Sequence, residues 1–170
     1  MHKGSPSLIW VRAACALGLI HAGFSLYWAL GGRWLLETVG EVAATMAAQG
    51  PQRVFLILTS IALFKAAAAV IPLLAAYHKM PWPRAWRAVS WFGGVFLILY
   101  GGVNTAAAWS VLLGLIAAPP DSDRPGLLGH ALLWDPLFLL WGLSLVVHLW
   151  ITRTRTRPGR PTEPIQGDFE

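Results

Sequence analysis

VFLILTSIALFKAAAAVIPLLAAY, residues 54–77, runs for 24 positions with one charged side chain, Lys65. A helix needs roughly 20 apolar residues, at about 1.5 Å each, to cross about 30 Å of hydrocarbon, and this stretch supplies them. Three further runs share its character, at 11–30, 88–117 and 128–152. In lipid an unpaired backbone amide or carbonyl costs several kcal/mol, so only helices or a closed barrel can span. Barrel strands are about half as long and alternate polar with apolar residues, which none of these runs does. The fold class is therefore an all-α polytopic membrane protein, a four-transmembrane-helix bundle.

Composition agrees. Of 170 residues, 56% are apolar and 12% charged, against about 25% charged in an ordinary soluble domain. So short a soluble chain could not hide that much apolar surface from water. The formal net charge of +5 invites a nucleic-acid reading, but most of the positive charge flanks the apolar runs, which is the pattern of membrane topology; no nucleic-acid partner is expected. Cys15 stands alone inside the first run, which excludes an intrachain disulfide, a CxxC pair and a cysteine zinc site.

Residues 1–10 read as a cytoplasmic N-terminus, 11–152 as the transmembrane domain and 153–170 as a disordered basic cytoplasmic tail whose arginines suit anionic headgroups. The first run is too long for a secretory signal and lacks a convincing cleavage site, so it reads as an uncleaved anchor. Lys3, Arg12, Lys79, Arg84, Arg87, Arg153, Arg155, Arg157 and Arg160 fall on one side, and Arg33, Arg53 and Arg124 on the other. Nine against three predicts an inner (plasma) membrane protein with both termini in the cytoplasm. In the first outer loop Leu35, Val39, Val42 and Met46 recur at helical spacing while Glu37, Glu41 and Gln49 fall elsewhere, which predicts a short amphipathic helix ended by Gly50 and Pro51. Ala14, Gly18 and Ala22 on the first run and Gly93, Gly94, Gly101 and Gly102 on the third predict close helix approach. Trp10, Trp28, Trp82, Trp86, Trp91 and Trp150 lie near span ends, where indoles favour the headgroup zone.

An ionisable group costs about 2.5–3.5 kcal/mol to insert at mid-membrane, so His21, Lys65 and Asp135 each call for a reason. Lys65 leans toward the outer half of its helix, and Asp135 and Asn104 come out at similar depth, so a cluster of the three is within reach. Two readings of Asp135 stand side by side: a ligand or proton site, or a structural role, either in a pair or as the helix-starting Asp-Pro signature, with the helix breaking or kinking at Trp134 to Pro136 and the carboxylate capping freed amides. Lys65 is either a functional base, or a partner in a structural ion pair or a lysine exposed to a water cavity. His21, on a face with Gly18, Ser25 and Trp28, either moves protons or binds a neighbouring helix. His130 and His148 are about 27 Å apart along one helix and cannot share a metal. No Walker loop, GxSxG, HExxH or dinucleotide fingerprint is present, so no metal and no cofactor are expected.

The strings HAGFSLYWALGGRW (21–34), GGVNTAAAW (101–109) and HALLWDPLFLLWG (130–142) resemble the bacterial membrane family catalogued as domain of unknown function 3995, whose pattern pairs a histidine and Trp-Ala-Leu-Gly-Gly at the end of the first helix with Trp-Asp-Pro opening the fourth. The resemblance extends from His21 to Trp150. It implies a four-helix integral membrane protein and no activity, and it adds Trp28, Asn104, Trp134 and Asp135 to the candidate polar site of the outer half. Two functions remain: a binding or accessory membrane module, holding a lipophilic small molecule or another membrane protein, or a small enzyme or proton-coupled carrier that uses Lys65, Asp135 and His21 as acid and base groups.

Overall fold

The computed structural model describes residues 6–40, 50–118 and 123–153. Its long elements are α1 (Pro6–Ala29), α2 (Pro51–Ala76), α3 (Pro83–Leu112) and a fourth run made of α4 (Arg124–Gly129), a π turn (His130–Trp134) and α5 (Asp135–Ile151). Four helices are long and apolar enough to cross a membrane, Ser7–Ala29, Pro51–Ala76, Pro83–Leu112 and Arg124–Ile151. The chain is thus an all-helical bundle of membrane-protein character.

The helices start earlier than the apolar runs because their starts are set by backbone chemistry. Pro51 and Pro83 occupy first-turn positions, where the missing N–H costs nothing and the fixed φ is already helical. Asp123 caps α4 by accepting from the Gly126 amide at 3.1 Å. Gly114, at φ +72°, follows the end of α3 and stops it short of the residues to 117 that hydropathy alone would include.

Helix α1 packs on both α2 and α5, and α5 packs on α3, whereas α2 and α3 touch only sparsely. Glycines set the closest crossings. A Cβ on Gly101 would stand 2.5 Å from the Leu139 amide nitrogen and 2.6 Å from the Asp135 carbonyl, and one on Gly142 would stand 2.7 Å from the Gly94 carbonyl. Gly18 lies against Ala69 and Trp141 in the same way. Gly93 meets nothing and Gly102 only the tip of Leu139, so the small-residue stripe expected on α3 narrows to Gly94 and Gly101.

The expected loop helix lies largely on residues 41–49, outside the described residues, as do 1–5 and 154–170. What is described of it is one 3-10 turn, Leu36–Val39, stopped by Gly40 at φ +68°. Trp10, Trp82 and Trp150 are exposed, as interfacial indoles should be. Trp28 is not: it is buried in a cluster with Ala29, Leu58 and Trp134, because its indole finds a backbone acceptor inside the fold.

Candidate functional site

His21 and Ser25 stand one turn apart on α1, so their side chains face the same neighbour. That neighbour is Lys65 of α2, whose Nζ lies 3.1 Å from His21 Nδ1 and donates to Ser25 Oγ at 3.0 Å. Ser25 in turn donates to the His21 carbonyl at 3.4 Å. An ammonium only donates, so against charged Lys65 Nδ1 accepts and the imidazole proton sits on Nε2. Nε2 is buried and has no hydrogen-bond partner among the described residues. Phe138 of α5 closes the group: its ring stacks on His21 with centroids 3.9 Å apart and lies 5.5 Å from Lys65 Nζ, a cation–π distance. His21 and Ser25 are buried and Lys65 is half-buried. Among the described residues Lys65 has no carboxylate partner.

Asp135 goes elsewhere. It is 1% exposed, and its Oδ2 lies 2.9 Å from His130 Nδ1. In an α-helix residues five apart point to different sides, but a π turn winds i toward i+5 and stacks them. The π turn exists where Pro136 removes an amide from the ladder, and the helix widens instead of breaking. Asp135 accordingly has helical φ −76° and ψ −38° inside a continuous run. Of the structural readings of Asp135 the pair is the one observed and the cap is corrected: α5 begins at Asp135, but the run is continuous through the π turn and the carboxylate binds a side chain one π turn back. In i→i+5 register the donor due to the Ala131 carbonyl would be residue 136, a proline; Trp109 Nε1 supplies that bond at 3.1 Å.

Above these groups the loop end is sealed by indoles. Trp134 Nε1 donates to both the carbonyl and Oγ1 of Thr38, at 3.1 and 3.0 Å, and Trp28 Nε1 donates to the Trp34 carbonyl at 3.0 Å. The Trp28 and Trp134 rings meet edge to face at 5.1 Å, as do Phe24 and Trp134. Gly129 lets the 3-10 turn settle on the π turn, since a Cβ there would collide with the Thr38 carbonyl.

Of the six residues singled out in the sequence, His21 and Lys65 touch each other, Trp28 and Trp134 form the aromatic plug, and Asp135 pairs with His130. Asn104 is half-buried and makes no hydrogen bond among the described residues. The cluster of Lys65, Asp135 and Asn104 that depth alone allows is therefore not formed; rotation about the helix axes sends Lys65 and Asp135 to different partners and leaves Asn104 with neither. Ser25, His130, Phe138, Thr38 and Trp109 complete the arrangement. Ser25 at i+4 from His21 was a readable signal; the His130–Asp135 spacing of five becomes one only with a π turn. The cavity outlined by described residues lies at the opposite end, beside Arg84 and Arg87.

Neither the curated proteins nor the solved structures contain a match to this chain. A family model described as Protein of unknown function (DUF3995) matches residues 18–145, a stretch containing the His21–Lys65–Ser25 group, the aromatic plug and the π turn, and the chain belongs to that family.

Proposed function

We propose that this protein is a non-catalytic membrane module of the inner (plasma) membrane, with both termini cytoplasmic and the polar groups of its outer half serving to hold the bundle in one packing for a lipophilic ligand or a membrane-protein partner. The observation that carries the reading is that the strong polar groups there are turned on one another: Lys65 on His21 and Ser25, Asp135 on His130, and three indoles on loop or π-turn carbonyls. Ser25, whose hydroxyl lies beside Lys65, accepts from the ammonium and gives its own proton to the His21 carbonyl, so that proton is held by its own helix and not offered to a base. The orientation is supported by charge: among the described residues Arg12, Lys79, Arg84, Arg87 and Arg153 lie at the end where α1 begins and α5 finishes, against Arg33, Arg53 and Arg124 at the other.

The test is thermal unfolding of the detergent-solubilised protein. Lys65→Met leaves His21 and Ser25 without their partner and should cost about 1–2 kcal/mol, near the upper range for interhelical hydrogen bonds in membranes. Asp135→Asn should also lower the melting temperature. Two variants that melt like the wild type would contradict a packing role.

A second reading, a proton-coupled carrier or small membrane enzyme, draws on one observation: Lys65 sits beside an imidazole with no carboxylate partner among the described residues. Proton flux in proteoliposomes that disappears in Lys65→Met while the melting temperature holds would favour it over the first.

A further inference from the structure

At the end of the bundle where α1 begins and α5 finishes, the sparse contact between α2 and α3 leaves a cavity of about 350 Å³. Its apolar wall is the last turns of α2, at Pro72, Ala75 and Ala76. Its other walls are mixed: Pro83 and Leu149 add apolar surface, and the polar groups are His78 in the connection, Arg84, Arg87 and Ser90 on α3, and His148 and Thr152 on α5. None of the lining residues is acidic, and the acids of the described residues all lie at the far end.

The two arginines are arranged differently. Arg87 is braced: its guanidinium donates to Thr152 Oγ1 at 2.9 Å and to the Leu149 carbonyl. Thr152 Oγ1 also donates to the His148 carbonyl at 2.8 Å, so the final carbonyls of α5, which would otherwise repel an anion, are already occupied. His148 is anchored too, with Nδ1 2.7 Å from the Ser7 carbonyl. Arg84 is exposed and has no partner among the described residues, so its full fork of donors is available at the rim. A fixed guanidinium inside and a free one at the mouth, with no acid between them, suit a phosphate oxygen set.

We propose that this cavity binds one phosphate-bearing anion at the membrane–water boundary, with Arg84 and Arg87 as its cationic contacts. An acidic phospholipid headgroup is the source that fits best. The volume, at the small end of ligand cavities, admits a glycerophosphate group, and the apolar wall of α2 beside the seam with α3 gives the attached chains a way back into the bilayer.

The experiment is native mass spectrometry of the full chain, delipidated in detergent and titrated with phosphatidylglycerol or phosphatidylcholine, with a parallel thermal-shift titration against inorganic phosphate. One phosphatidylglycerol should bind in preference to phosphatidylcholine. Arg84→Gln should weaken it roughly tenfold, the size of one lost charge-assisted hydrogen bond. Arg84 supports no other contact among the described residues, so this variant should melt like the wild type without lipid, and Arg33→Gln at the other end should bind like the wild type. Stabilisation by inorganic phosphate that Arg84→Gln abolishes, without a preference between the lipids, would assign the site to a free phosphate. Equal loss in Arg84→Gln and Arg33→Gln, or no loss in Arg84→Gln, would overturn the proposal.

Discussion

Lys65 is held by one imidazole, one hydroxyl and one aromatic face, drawn from α1 and α5, and this explains how a lysine is tolerated within a transmembrane run. Ser25→Ala deletes one acceptor and should lower stability by about 1 kcal/mol in a denaturant titration in bicelles. Asp135 depends on a single partner. Removing it by His130→Ala strands a buried carboxylate, and because the His130 side chain is 39% exposed, water relieves part of the loss; a cost of about 1–3 kcal/mol is expected. If the pair acts as a unit, Asp135→Asn added to His130→Ala should cost less than the sum of the two. Both His21 and Lys65 were legible as residues needing a reason, but their pairing was not. In helices apolar on nearly every face, the rotation that decides which side chains meet is set by packing and not by the hydrophobic pattern.

At the scale of elements, the α3–α5 crossing and the π turn carry the most consequence. Gly101→Ala should force α3 away from α5, since the new methyl meets backbone that cannot swing aside, at a cost of about 1–3 kcal/mol. Gly93→Ala is the control: its methyl meets nothing, and alanine's better helix propensity should leave stability equal or raise it by up to about 1 kcal/mol. Melting curves of the two proteins check both. The number and helical nature of the spans followed from run length and from the cost of bare backbone in lipid. The π turn did not, because Asp-Pro is also a helix-start signature, and only the bonds from Trp109 and Trp134 and the His130–Asp135 contact show which outcome the chain adopts. Trp28 was likewise read as an interfacial indole from its position near a span end, whereas the Trp34 carbonyl gives its N–H a buried acceptor.

For the whole molecule, the two ends divide the polar work. One end is closed by indoles and the 3-10 turn and holds the acids of the described residues; the other carries the basic cavity between sparsely touching α2 and α3. The sequence pointed to the outer half for any site and said nothing of the cavity at the other end, because a cavity depends on which helices fail to touch, which hydropathy does not record. On the proposed topology, a thiol introduced by Glu37→Cys should react with a membrane-impermeant maleimide added outside intact cells, and one introduced by Lys79→Cys should not; the reverse pattern would invert the topology. The packing role of the polar core is tested most directly by a double-mutant cycle between His21→Leu and Lys65→Met, read as unfolding free energy in bicelles. The expected result is a favourable coupling of about 0.5–1.7 kcal/mol, the range of interhelical hydrogen bonds in membranes. Strictly additive single variants would contradict it.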